Sequence, residues 1–286
     1  SETADAAELK RAMIRETGEQ LTSNDPAVLT KATASICLIT ESPTRTATQF
    51  QDLLTFVDPL IKLVSHESNA VKRNAIAALT GLMGAFADPV REKVAAADGA
   101  KELLIAAANA EHNLRLNAGL AIEQLASGGG QPLQKVLEAK TVKHLVALLI
   151  QERKSDVRVA FLNALCSIAS DQGVGRPAMC EGGVVAGAVV KMDLLSDGDE
   201  ESRFMTILLL GMLNEDPATQ EAIANSSKAV VQLTVLMKEG VDREKEVAHD
   251  LFAKLLRNEK VRPLVQQIIK EDKDAKSVQG QEKFTN

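Results

Sequence analysis

Leu114 to Leu125 reads LRLNAGLAIEQL. Val71 to Leu82 reads VKRNAIAALTGL and Val157 to Ile168 reads VRVAFLNALCSI, so the three segments stand 43 residues apart. One further step back, Val28 to Ile39 reads VLTKATASICLI. In nearly every copy the first, fifth, eighth, ninth and twelfth residues are apolar. Those offsets fall on one face of an α-helix. A helix with one apolar stripe cannot hide it alone, but a copy every 43 residues can hide it against the next copy. That pattern marks a stacked α-solenoid and predicts an all-α chain.

Composition agrees. Hydrophobic residues make up 45% of the 286, enough for a continuous core, and the mean hydropathy of -0.04 suits a water-exposed surface. No run reaches the roughly 18–20 apolar residues a bilayer span needs; Val184 to Leu195 comes nearest and is broken by Lys191 and Asp193. Ser1 to Gln20 is too charged for a secretory signal. The sequence opens without Met, so any upstream targeting or lipidation signal would lie in preceding residues. A net charge of -6, with no Trp and no Tyr, argues against nucleic acid as partner, because base stacking would rest on seven Phe alone. Cys37 and Cys166 hold equivalent positions three periods apart. Stacked helices lie about 8–10 Å apart, so these thiols sit far beyond the ~7 Å Cα limit for a disulfide. Reduced thiols and a cytoplasmic setting are expected.

The same grammar repeats along the chain: short helix, turn, middle helix, loop, long striped helix. Residues 1–24 are expected to form a capping helix with Leu9, Met13 and Ile14 inward and Gly18 loosening its end. Asp25-Pro26 starts the first striped helix, Asp25 as cap and Pro26 in the first turn. In the next unit a break is expected at Asp58-Pro59, followed by a helix from Leu60 to Ser65. Later units open at Asp88-Pro89, Gly128-Gly129-Gly130, Arg176-Pro177 and Asp216-Pro217, and the repeat array is expected over 25–257. A closing helix is placed at 258–272 and a disordered tail at 273–286, where the chain is charged and poor in large apolar groups.

Three helices per unit, a turn between the first two and this period resemble the armadillo repeat. The phrase EKVAAADGAKELLIAAANAEHNLRLNAGLAIEQLAS, residues 92–127, shows its run of a first helix, a Gly-containing corner, a Leu-rich second helix and an Ala-rich third. The resemblance covers about residues 25–257. It implies a right-handed α-solenoid of about six armadillo-like repeats, with the third helices lining a concave groove. Importin-alpha-type arrays carry a Trp and an Asn four residues apart on that helix. The matching pairs here are Ala34/Leu38, Ala77/Gly81, Leu120/Gln124, Asn163/Ser167, Leu208/Met212 and Asp250/Lys254, and none combines them. Recognition of basic import signals and a β-catenin-like basic groove are therefore not expected.

In the fifth copy, Arg203 to Leu213 reads RFMTILLLGML. Aligning Leu210 and Leu213 with Leu79 and Leu82 turns Phe204, Leu208 and Met212 toward the groove. A helix apolar all round is either buried on every side or covered by a partner. Leu116, Leu120 and Val159 continue the apolar column into earlier copies. Asn117, Gln124, Asn163 and Ser167 would hold the backbone of an extended peptide, since amides and hydroxyls donate and accept. A second column, Lys72, Arg115, Arg158, Arg203 and Lys245, has two readings. It is a ladder for an acidic partner, or each cation pairs locally with acids such as Asp156, Glu201 or Glu244. The column sits beside the buried stripe and away from the groove, which favours local pairing.

No catalytic constellation is visible. His66, His112, His144 and His249 are dispersed, with no Cys or carboxylate at metal-ligand spacing. Asp197 to Glu201 lacks the spacing of a calcium loop, and the Gly clusters lack the Lys-Ser/Thr of a phosphate loop. No cofactor, metal or catalysis is expected, and the sequence is silent on oligomeric state. The leading reading is a non-catalytic scaffold or adaptor holding a peptide or helix of another protein. Alternatives are an armadillo co-chaperone promoting nucleotide exchange on seventy-kilodalton heat-shock proteins, or a lipid-anchored organelle adaptor, which a Met-Gly start followed by cysteines would support.

Overall fold

A computed structural model of the chain describes residues 2–41, 47–196 and 199–282. Every element among them is helical, with no strand. They fall into two compact units, 1–148 and 149–286.

The first unit runs α1 (Glu2–Gln20), α2 (Pro26–Glu41), α3 (Ala47–Leu54), α4 (Val57–Val64), α5 (Asn69–Phe86), α6 (Asp88–Ala96), α7 (Gly99–Ala107), α8 (His112–Ala126) and α9 (Gly130–Glu138). The long helices α2, α5 and α8 lie side by side, and α4 and α7 back onto α5 and α8. The stripe is what they share. Val71, Ala75, Ala78, Leu79 and Leu82 are buried, as are Leu114, Ala118, Ala121, Ile122 and Leu125. Alanine in these columns lets neighbouring helices approach closely, and Gly81 takes this to its limit: a Cβ there would stand 2.3 Å from Thr40 Oγ1 on α2.

The helix α10 (Thr141–Gln151) leads into the second unit. There follow α11 (Ser155–Ser170), α12 (Gly175–Cys180), α13 (Val184–Lys191), α14 (Glu200–Leu213), α15 (Pro217–Ala224), α16 (Ser227–Glu239), α17 (Asp242–Arg257) and α18 (Arg262–Glu282). Short 3-10 turns occupy Glu181–Gly183 and Leu194–Ser196. Here α11, α14 and α17 lie side by side. Val157, Phe161, Ala164, Leu165 and Ile168 are fully buried, as are Leu210 and Leu213. The corner before α13 is made by Gly182 and Gly183, both left-handed at φ 63° and 65°, a conformation glycine adopts without a Cβ clash.

Helix starts follow local chemistry. Asp25 accepts from the Ala27 N–H at 2.8 Å, and α2 begins at Pro26. Asp199, Asp216 and Ser226 cap α14, α15 and α16 in the same way.

Four expectations are corrected. In α1, Leu9 and Met13 are exposed and Ile14 is buried with Thr17 and Leu21, so the inward face is turned from the one read off the sequence. Gly18 does not loosen that helix; it lies where a Cβ would stand 3.0 Å from the Phe56 ring, and the helix runs on to Gln20. The break near Asp58-Pro59 falls earlier, at Thr55-Phe56, because Pro59 sits in the first turn of α4, where an N–H has no intrahelical acceptor to lose. The segment from 273 onward, expected as a disordered tail, continues α18 as far as Glu282. Lys276 pairs Asp272 one helical turn back at 2.7 Å, and a turn earlier the neutral Gln267 bonds Glu271 at 2.8 Å. Residues 283–286 lie outside the described residues.

Candidate functional site

The nine residues singled out for partner binding all lie on the long third helices, and all are half-buried. Leu116, Asn117, Leu120 and Gln124 stand on α8 in the first unit. Asn163 and Ser167 on α11, and Phe204, Leu208 and Met212 on α14, belong to the second. On α14 the contrast between neighbours is sharp: Met205, Thr206, Ile207, Leu209, Leu210 and Leu213 are buried, whereas Phe204, Leu208 and Met212 keep a solvent-facing flank.

Hydrogen bonding separates the polar candidates into two kinds. Asn117 Nδ2 donates to the Arg73 carbonyl of α5 at 3.3 Å, and Asn74 one period earlier donates to the Thr30 carbonyl of α2 at 3.3 Å. These amides tie adjacent third helices together. Gln124 Oε1 accepts from Arg91 at 3.3 Å. The Asn163 and Ser167 side chains hold no hydrogen bond among the described residues, and both stand on α11, which packs against α14. The second unit therefore carries two unspent polar groups on α11 beside an apolar column on α14.

Phe204 has a further neighbour that the sequence alone did not single out. The Arg243 guanidinium lies 4.3 Å from its ring centroid and is held by Glu200 at 2.9 Å and Glu201 at 2.7 Å. Those carboxylates push the Arg243 pKa upward, Glu201 first. An arginine locked over an aromatic face is rigid on one side and offers donors on the other.

The basic column is structural where its partners are visible. Arg115 donates to the Asn109 and Ala110 carbonyls at 3.2 and 2.7 Å, closing the loop that ends α7. Arg203 Nε pairs with Glu244 at 3.1 Å, and the Glu244 side chain is fully buried. The other Glu244 oxygen accepts the Val241 N–H at 3.0 Å. Arg176 and Arg262, outside the column, likewise reach back to carbonyls of the preceding long helix. Such contacts satisfy carbonyls that a helix end leaves open.

Among the described residues no cluster of His, Cys, Asp or Glu could hold a metal ion. His66 Nδ1 accepts the Ser68 N–H at 3.0 Å, a local turn contact. No disulfide forms among the described residues: Cys37 and Cys166 lie against main-chain carbonyls of the next third helix. No described helix is long and apolar enough to cross a membrane.

No family model matches the chain, and no curated protein matches it in sequence. Solved structures do match. A designed armadillo repeat protein superposes with a TM-score of 0.73 at 23% identity, covering 84% of this chain and 98% of its own. The fold is the armadillo repeat. Another designed armadillo repeat protein, solved in complex with the peptide (KR)4, gives 0.73 at 22% identity over the same shares of each chain. An engineered protein gives 0.75 at 18% identity, over 86% of this chain and 99% of its own. At these identities the armadillo likeness is one of shape.

Proposed function

We propose that this protein is a non-catalytic scaffold that holds a peptide or helix of a partner protein on its third-helix face, centred on α11 and α14. The observation that carries the reading is the α14 column: Phe204, Leu208 and Met212 stay half-exposed on a helix whose other large apolar residues are buried. Large apolar groups left on one flank of a packed helix are stabilised by a partner that covers them. Met212 adapts to varied side chains, and Asn163 and Ser167 supply donors and acceptors for a main chain lying alongside. Asn117 and Gln124 contribute to the scaffold instead, because their amides are already engaged.

The solved design bound to (KR)4 supports peptide binding by this architecture, but a basic peptide suits the present face poorly. Its columns are neutral or apolar, and Arg243 stands over Phe204. A partner with aliphatic or aromatic anchors fits better. A cytoplasmic setting belongs to the same proposal, supported by the spacing of Cys37 and Cys166. Neither the nucleotide-exchange reading nor the lipid-anchored reading gains an observation from the site.

The test is selection of a linear-peptide phage library on the intact chain, followed by re-measurement on Leu208→Glu with Met212→Glu. The proposal expects selected peptides rich in apolar anchors whose affinity falls at least about tenfold on the variant, equivalent to about 1.4 kcal/mol, with the helical circular dichroism spectrum retained. Equal affinity for both chains would remove the face from the account.

A further inference from the structure

The apolar column of α14 has α17 running beside it. On α17, Arg243, Glu246, Asp250 and Lys254 fall at i, i+3, i+7 and i+11, one side of that helix. Arg243 lies over the Phe204 ring at 4.3 Å, and Lys254 reaches Glu215, just past the end of α14, at 2.8 Å. Between them Val247 packs at Gly211, where a Cβ would stand 3.3 Å from it. These contacts turn that side of α17 toward α14. Glu246 and Asp250 therefore border the flank that Phe204, Leu208 and Met212 leave open.

The border is acidic. Arg243 is shared by two carboxylates, Glu200 at 2.9 Å and Glu201 at 2.7 Å. Lys254 is likewise shared, by Glu215 at 2.8 Å and Asp250 at 3.1 Å. Each cation cancels one of its two acids, so a negative charge is left over near either end of the column. Glu246, between the two clusters, is exposed, and its side chain holds no ion pair or hydrogen bond among the described residues. Arg257, the next cation on that side of α17, stands a turn beyond Lys254 and leaves the acids in excess.

Across α14 the opposite flank is neutral, with Asn163 and Ser167 on α11. The face thus has an apolar middle, one uncharged side and one acidic side. A peptide of cations alone would press charge onto Phe204, Leu208 and Met212 and lose hydration there without a partner. A cation placed beside an apolar anchor meets carboxylates instead, and those of Asp250 and Glu215 are 62% and 69% exposed.

From this we infer that the partner segment held on the third-helix face carries lysine or arginine beside its apolar anchors, the anchors on the α14 column and the cations toward Glu246 and Asp250 of α17. The inference rests on the third-helix proposal and narrows its partner. Acidic segments are turned away at the rim, where like charges repel and opposite charges speed encounter.

Fluorescence anisotropy on the intact chain tests it with a labelled peptide whose leucine and phenylalanine anchors are flanked by lysines. Two controls carry glutamates or serines in place of the lysines, and a third alternates lysine and arginine with no apolar residue. At low salt the lysine-flanked peptide should bind at least about tenfold tighter than the glutamate-flanked and the alternating peptides, a margin that shrinks in ~0.5 M NaCl. Glu246→Lys should cut the preference for lysine over glutamate at least about threefold and leave the serine-flanked peptide unchanged. Asp250→Asn should act in the same direction. A charge-neutral pair, Leu208→Ser with Met212→Ser, separates the two proposals, since it should weaken every apolar-anchored peptide. Loss there, with equal affinity for lysine and glutamate flanks or an unchanged preference in Glu246→Lys, overturns this inference and leaves the third-helix proposal standing. Equal binding of the alternating peptide overturns it too. No binding of any apolar-anchored peptide overturns both.

Discussion

Replacing Glu244 by leucine tests whether the basic column belongs to the fold. The Glu244 carboxylate is fully buried, pairs with Arg203 at 3.1 Å and accepts the Val241 N–H at 3.0 Å. Breaking a buried pair by removing one partner costs about 3–5 kcal/mol. The Arg203 side chain is 21% exposed, so water recovers part of its charge and the ion-pair loss falls to about 2–3 kcal/mol. The orphaned Val241 N–H adds about 1 kcal/mol, for a total of about 3–4 kcal/mol. The assay is urea unfolding followed by circular dichroism on four chains: wild type, Glu244→Leu, Arg203→Met and the double variant. Removing both partners leaves no stranded charge, so the double variant should recover to within about 1–2 kcal/mol of wild type. The two single losses should together exceed the double variant's by at least about 2 kcal/mol, which is the coupling energy. A single variant costing less than ~1 kcal/mol, or strict additivity, would refute the reasoning. It would return the column to the reading as a ladder for an acidic partner.

Three further outcomes follow from particular contacts. Asn117→Ala removes the amide bridge from α8 to the Arg73 carbonyl and should cost about 1 kcal/mol in the same assay without weakening peptides selected on the α14 face. Gly187→Ala meets no neighbour and should stabilise by about 0.5–1 kcal/mol, seen as a raised urea midpoint. Hydrogen bonds from Ser155 and Ser202 hold the Asp199 carboxyl below its usual 3.8. A folded-state pKa below the unfolded one adds stability above that range, lost as pH falls through the lowered value. Asp199→Asn should therefore be less stable than wild type near neutrality and lose less on acidification below pH ~4.

The fold was legible because one period and one apolar stripe recur, and the stripe positions of α5, α8 and α11 are the residues found buried. The α1 face was misread because a capping helix has no second copy to align with. Its exposed Leu9 and Met13 look like core until Phe56 is known to pack at Gly18. The end of α18 was missed because a charged, apolar-poor segment signals disorder by composition, while its i, i+4 pairs favour helix by position.

At the candidate site, alignment with Leu79 and Leu82 marked Phe204, Leu208 and Met212. It could not tell Asn117 from Asn163, since an amide's partner is a carbonyl on the neighbouring helix. Arg243 over Phe204 and Lys254 beside Glu215 arise from segments distant in sequence, which a helix-face periodicity does not register.

The account rests on the α14 column being surface and not core. Urea unfolding of Leu208→Glu beside Leu209→Glu measures this directly, since the residues are adjacent and chemically identical while Leu209 is fully buried. The account predicts that Leu208→Glu costs within about 1 kcal/mol, whereas Leu209→Glu costs more than about 4 kcal/mol or prevents folding, as burial of an unpaired carboxylate requires. Equal losses in the two variants would contradict it.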